Sequence, residues 1–393
     1  MQIRELTIYR LRLPLKRKIR HASHSRSDSE NILLSCKLAD GTTGWGEGVP
    51  REYVTGESIS GAIEQLAEAA ISEQLQADCG SWLDAISMCL DVRLPHPVDD
   101  SRGCHGNALR CALELSVLDA YGQLFNEPIS AVTRHYTAAA PILATNPNVR
   151  YSGVITAETS MRERLSAAKI RIYGFAHCKI KVGMHDVDEH RRLASFRRWL
   201  GQRIDLRLDA NEAWRAGEAR KRIEPLLPFR ISSVEQPVPH DEVASLAEIR
   251  RELPVLIMLD ESLTGEHDAH CAIRDQTCDL FNIRLSKCGG FLASLRLAAL
   301  ANQAGLGYQL GCHPGESGIL SAAGRHFASS VANIVYLEGS YDRHILREQL
   351  TAEDVTFNYG GRARAIERRG LGTTVVPEAL ARLATRCQTY QIN

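Results

Sequence analysis

No apolar run in this sequence approaches the roughly 18 residues needed to cross a bilayer, and its hydrophobic stretches are short and interrupted by charge. It also has no net charge. The 47 lysines and arginines balance 47 aspartates and glutamates, which leaves no global field to recruit nucleic acid, an acidic membrane or a polyanion. The eleven cysteines, an odd number spread from Cys36 to Cys387, include no C-x-x-C pair, and the first residues lack the apolar stretch of a signal peptide. Together these absences predict a soluble cytoplasmic protein with reduced, mostly buried thiols, acting on a small molecule. No segment is of low complexity.

The 393 residues exceed the usual size of one domain, so two are expected. Alternating apolar and polar side chains predict strands over 1–11 and 31–37, and a turn at Asp40-Gly41 leads to a third near Trp45. Helical spacing follows over 61–75 and 108–124. Residues 1–125 therefore form a sheet-then-helices α+β unit. From Pro141 the rhythm changes to short strands alternating with amphipathic helices. The strands are expected at 141–144, 178–183, 205–211, 231–237, 255–262, 280–288, 307–313 and 334–339. Eight such βα units within 135–357 suit a (β/α)8-type barrel, with an open doubly wound sheet as the competing reading. The tail, 358–393, carries Gly360-Gly361 and a short helix at 377–386, and is expected to pack back on the first unit.

Barrel enzymes place reacting groups at the carboxyl ends of strands, and five consecutive strands here end in charge. They read Lys179-Ile180-Lys181, Asp209-Ala210-Asn211, Glu235-Gln236-Pro237, Asp260-Glu261-Ser262 and Lys287-Cys288-Gly289-Gly290. Steps of 28, 26, 25 and 27 residues from Lys181 through Asp209, Glu235, Asp260 and Lys287 each fit one strand, one helix and two loops. Any one of the acids alone is better explained as a helix cap or a surface ion pair. Five groups at matched spacing point instead to one mouth.

Asp209, Glu235 and Asp260 offer hard oxygen ligands to Mg²⁺, with Mn²⁺ as the alternative cation. A carbon acid beside a carboxylate is extremely weak. Removing its proton requires cations at the carboxylate oxygens and a base already placed at the carbon. Lys181 is the expected base, tuned by the neighbouring charge of Lys179, while Lys287 is expected to face it from the far side of the metal. Lysines that snorkel at the surface are the bland alternative, but Lys179 and Lys181 share one face of a strand.

These residues resemble the enolase superfamily, and within it the muconate lactonizing enzyme subgroup of the mandelate racemase/muconate lactonizing enzyme family. The K-x-K, D-x-N, E-Q-P, D-E-S and K-C-G-G elements occur in that order, and Gly44-Trp45-Gly46-Glu47 is similar to the motif of the capping domain. The resemblance implies an α+β cap, completed by the carboxyl-terminal segment, over a (β/α)7β modified TIM barrel. It implies Mg²⁺ on Asp209, Glu235 and Asp260, acid/base roles for Lys181 and Lys287, and support from Lys179. It further implies a homo-oligomer acting on a small carboxylate as a racemase, epimerase or cycloisomerase. The alternatives are an acid-sugar dehydratase, an o-succinylbenzoate synthase-like lyase, or a metal-stabilised scaffold without activity.

Candidate substrate contacts are Asn211, Glu261, His313, Glu316, Glu338, His24 and Arg26, the last two from a loop placed like the family's specificity loop. Dipeptide epimerases of the subgroup resemble one another in a D-x-D at the eighth strand. Here the segment reads Tyr336-Leu337-Glu338-Gly339-Ser340, which disfavours dipeptide epimerase. His313 is similar to the histidine of mandelate racemase relatives but has no aspartate partner at the Lys287 position. Gly44-x-Gly46-x-Gly48 lacks dinucleotide-loop spacing and is expected to form a turn, and His267 and His270 are expected on a surface helix.

Overall fold

A computed structural model of the chain describes residues 1–20, 25–156, 159–184 and 187–392. The first unit opens with β1 (Ile3–Arg20), β2 (Ser25–Leu38) and β3 (Thr43–Gly48), joined antiparallel in that order. Its helices are α1 (Ile59–Glu68), α2 (Trp82–Asp91) and α3 (Asn107–Phe125). The expected helix over 61–75 breaks at Ala70, whose φ of 46° stops α1, and a single further turn runs from Ile71 to Gln74. The sequence reading did not include α2, although Ser81 and Asp84 form a reciprocal capping box at its start.

The three-glycine segment is a strand, not a turn. Gly44, Gly46 and Gly48 fall on one face of β3, because side chains alternate along a strand. That face lies on α3, where a methyl group on any of them would overlap the backbone of Ala120, Ala112 or Ala108. Small residues four apart on α3 (Ala108, Ala112, Ser116, Ala120) meet them, so strand and helix approach backbone to backbone.

The second unit is a parallel sheet of β4 (Gly153–Ile155), β5 (His177–Lys181), β6 (Asp205–Asp209), β7 (Ile231–Glu235), β8 (Leu256–Leu259), β9 (Leu280–Ile283), β10 (Gly307–Leu310) and β11 (Ile334–Leu337). Neighbours in sequence are neighbours in space. Ser152 N–H donates to Leu337 O at 2.8 Å, which joins the first strand's approach to the last strand and curls the sheet round. Seven helices connect the strands: α4 (Ser160–Ile172), α5 (Glu189–Leu200), α6 (Ala216–Ile223), α7 (Leu246–Glu252), α8 (Glu266–Asp275), α9 (Phe291–Gln303) and α10 (Gly318–Ser330). The architecture is the (β/α)7β barrel with an antiparallel cap sheet.

Two expectations are corrected. The segment 141–144 is not the first barrel strand: Thr137–Ile142 is a 3-10 helix containing Pro141, and Ala144 N–H bonds Ser330 O at the end of α10. The other strands stop two to five residues before the expected ends, because the chain leaves the ladder as it reaches the mouth. In the tail, α11 (Pro377–Leu383) leads into β12 (Ala384–Gln391), which pairs antiparallel with β1 and makes the cap sheet β12-β1-β2-β3. All eleven cysteines are free thiols, eight of them buried. Among the described residues no helix is long and apolar enough to cross a membrane.

Candidate active site

Strand alternation decides which side chains enter the barrel. Met258, Leu280 and Tyr336 form a separate apolar cluster on the inside, and the same parity carries Asp260, Asn282, Arg284 and Glu338 inward above it. On the earlier strands Lys179, Lys181, Arg207, Asp209, Ser233 and Glu235 share this face. The Arg207 guanidinium stacks 4.1 Å above the Tyr336 ring and bonds Glu338 at 3.0 Å.

Lys179 is buried among acids. Its Nζ donates to Glu338 Oε2 at 2.8 Å and to Glu235 at 3.2 Å, and lies 3.5 Å from Asp209 Oδ2. Burial disfavours its charge, but Glu235, Glu338 and Asp209 outweigh burial and hold its pKa well above the ordinary lysine range. Lys181, two residues on, is half-buried and donates to Asn211 Oδ1 at 2.7 Å. Asn211 in turn donates to Glu261 Oε1 at 3.3 Å, and Glu261 Oε2 has no partner among the described residues.

The three expected metal ligands stand at the ends of β6, β7 and β8, nearly inaccessible to solvent. Burial pushes the Glu235 carboxyl up; Lys179 opposes this, and the Asp209 and Asp260 charges add to it. Asp260 is held low by Arg284 and Lys287 in spite of its burial. The donor set is right in kind for a hard divalent ion. In this structure the carboxylates are turned to cationic side chains, Asp209 and Glu235 to Lys179 and Asp260 to Arg284 and Lys287. Among the described residues no three ligand-type side chains converge on one point.

Lys287 is not at the mouth. Strand β9 ends at Ile283, and Lys287 lies in the turn beyond it. Its Nζ is buried behind Asp260 and gives its protons to Asp260 O at 2.6 Å, Asp260 Oδ1 at 2.8 Å and Asn282 O at 2.8 Å. An ammonium has three donors, and all three are used. The group that enters the mouth from β9 is Arg284, paired with Asp260 and 3.7 Å from Glu235.

Glu338, offered above as a substrate contact, has one oxygen on Lys179 and the other on Arg207, so it is spent inside the barrel. His313 is buried, and its Nδ1 lies 3.8 Å from Glu316 Oε1. Burial, with Arg284 and Arg51 adding, holds its pKa well below 6.5, so the ring is neutral. Glu316 accepts from His313 N at 2.6 Å, and burial pushes its carboxyl up to about 8. Arg26 reaches over this corner and donates to Pro314 O at 2.8 Å. His24, with His21, lies outside the described residues, and His267 and His270 lie on α8.

The sequence analysis assigned no supporting role to Gln236, Asn282, Glu47 or Glu114. Gln236 (φ 38°), Asn211 (φ 43°) and Glu212 (φ 64°) adopt left-handed backbone directly after β6 and β7, the kind of strain held at functional sites. The Gln236 amide accepts from Asp260 N at 2.9 Å and Ser262 N at 3.1 Å, fixing the β8 end. Asn282 donates to Glu235 Oε1 at 2.7 Å. From the cap, Glu47 accepts from Asn31 Nδ2 at 2.6 Å, Ser317 Oγ at 2.6 Å and Leu320 N at 3.3 Å, tying β3 to the start of α10. Glu114 accepts from Phe291 N at 2.6 Å and Leu292 N at 3.0 Å, against Gly290, where a side chain would strike its carboxylate.

A capped (β/α)7β barrel with Lys181 and three acids at the ends of its strands defines an enzyme of the enolase superfamily. Residues 161–379 match the model of the enolase C-terminal domain-like family, which spans more than half of the chain. The chain belongs to that family, and within it to the mandelate racemase/muconate lactonizing enzyme group. It is 27% identical over 334 residues to a hydrophobic dipeptide epimerase of Enterococcus faecalis, covering 85% of this chain and 89% of that one. It is 26% identical over 340 residues to an N-succinyl-L-Arg/Lys racemase of Bacillus cereus, covering 86% and 87%. The fold matches a dipeptide epimerase of Cytophaga hutchinsonii, solved with Mg and the dipeptide D-Ala-L-Val, with a TM-score of 0.83 at 24% identity over the whole of both chains.

Proposed function

We propose that this chain is a Mg²⁺-dependent isomerase that removes the proton α to a substrate carboxylate through an enolate, the step shared by racemases, epimerases and cycloisomerases. The observation that carries the reading is the contrast between two lysines on one strand face. Lys179 is immobilised by three carboxylates, whereas Lys181 is half-exposed and held by one neutral amide. Lys181 takes the proton. Asn211, itself braced by Glu261, aims its amine across the mouth, and Gln236 fixes the turn that carries Asp260.

Asp209, Glu235 and Asp260 are the residues to hold Mg²⁺, which supplies positive charge to the substrate carboxylate oxygens as the enolate forms. Lys287 acts from behind, as the partner that positions Asp260. Glu338 faces Lys179 and Arg207 and offers no counter-charge to a substrate ammonium, which supports an N-acylated or otherwise non-cationic carboxylate over a free dipeptide.

The test is an NMR screen of pooled carboxylic acids in deuterated water with added Mg²⁺. Wash-out of an α-proton signal, abolished by a chelator, is the expected result. No exchange across N-acylamino acids, lactone acids and acid sugars would refute the proposal.

A further inference from the structure

In an eight-stranded barrel, strands four apart stand on opposite sides. Lys181 ends β5, Arg284 follows β9, and the three strands between them carry Asp209, Glu235 and Asp260. Arg284 continues the inward parity of Leu280 and Asn282, is only 9% exposed, and has an Nε with no partner among the described residues. The side chain across the carboxylates from the base is therefore a guanidinium and not an amine.

A guanidinium has five N–H donors, no acceptor, and stays protonated in proteins. It has no lone pair with which to take a proton from the second face of the α-carbon. Lys287, the other amine nearby, has every proton committed and lies behind Asp260.

We infer that Arg284 is the specificity-determining residue that makes this a one-face site. The inference rests on Lys181 as the base. The Lys181 lone pair takes the α-proton, and the C–H electron pair passes into the enolate. A proton returned to carbon comes back from the same ammonium to the same face, re-forming the C–H bond from that electron pair. Configuration at the α-carbon is retained. A net reaction then requires a bond at the neighbouring carbon to form or break on the Lys181 side, as in opening a lactone acid, where the departing carboxylate oxygen keeps the bonding pair. Among the isomerases, this geometry selects cycloisomerisation over racemisation.

The experiment uses the full-length protein with Mg²⁺ in deuterated water and an acid that exchanges in the screen, each enantiomer supplied separately and followed by NMR and chiral chromatography. The expected result is deuterium in one enantiomer only, with no inversion over many exchange half-lives. Arg284→Lys, checked by its thermal unfolding, is expected to acquire exchange of the opposite enantiomer and with it slow racemisation. Interconversion of the enantiomers by the wild-type protein overturns the one-face inference and leaves the base intact, whatever the variant does. Exchange that survives unchanged in Lys181→Ala overturns the base, and the inference with it.

Discussion

Replacing Lys179 by methionine removes the one cation that touches Glu235, Glu338 and Asp209 together, while shortening the side chain by one atom. Breaking a buried ion pair from one side costs about 3–5 kcal/mol, because the abandoned charge stays buried. Here the remaining contacts set where in that range the loss falls. Glu338 keeps Arg207 at 3.0 Å, Glu235 keeps Asn282 at 2.7 Å, and Asp209 keeps the N–H of Asn211 at 3.1 Å. None of the three is left wholly bare, which places the cost at the low end, about 3 kcal/mol. Lys181→Ala, by contrast, gives up one hydrogen bond from a half-exposed amine and costs about 1 kcal/mol or less. Urea unfolding of both variants without divalent ions measures the difference. Repeating it with Mg²⁺ tests the carboxylates, because a divalent ion restores the missing charge in Lys179→Met. A ligand present at 100 times its dissociation constant adds about 2.7 kcal/mol, so Mg²⁺ is expected to recover most of the loss. A Lys179→Met protein as stable as the wild type without Mg²⁺, or a larger loss in Lys181→Ala, would show that Lys179 does not neutralise the buried acids.

Gly46→Ala drives a methyl group into the backbone of α3 and is expected to cost about 3 kcal/mol; Gly217→Ala on α6, with open space around it, is expected to be neutral or slightly stabilising. Thermal unfolding of the pair reads the difference. His326 on α10 is fully buried, and burial pushes its pKa down to about 4; the Leu371 carbonyl opposes this and Arg325 adds to it. A depressed folded-state pKa means that its contribution is complete above the ordinary histidine value and disappears as pH falls from about 6.5 to 4, a loss of about 3 kcal/mol. His326→Gln is expected to flatten that stretch of the stability profile, and equal pH slopes in both proteins would count against it. Glu114→Ala uncaps the start of α9 across the cap–barrel boundary and is expected to cost about 1–2 kcal/mol.

The order of elements and the three acids were legible because both depend on local regularities: strand–helix rhythm, and charge where an apolar strand meets the mouth. Lys287 misled for a definable reason. Spacing along the chain placed it beside the other strand ends, but β9 stops at Ile283, and the turn that follows folds Lys287 behind Asp260. Counting by twos from Leu280 would have reached Arg284 instead. Glu338 was visible as an acid at a strand end, yet its partners, Lys179 and Arg207, come from the second and third strands, which only closure of the ring brings near the eighth, a contact no local pattern contains. The glycines of β3 were noticed but read as a turn, because their alternation becomes meaningful only when set against the small residues of α3.

The most direct test of Lys181 as the base is the rate at which the α-hydrogen of an exchanging acid is replaced by deuterium, measured in wild type and Lys181→Ala at saturating Mg²⁺ and equal folded concentration. The expected fall in the variant is about 10² to 10⁴-fold, the contribution of a positioned base. Exchange that continues within a few-fold of the wild-type rate would contradict it.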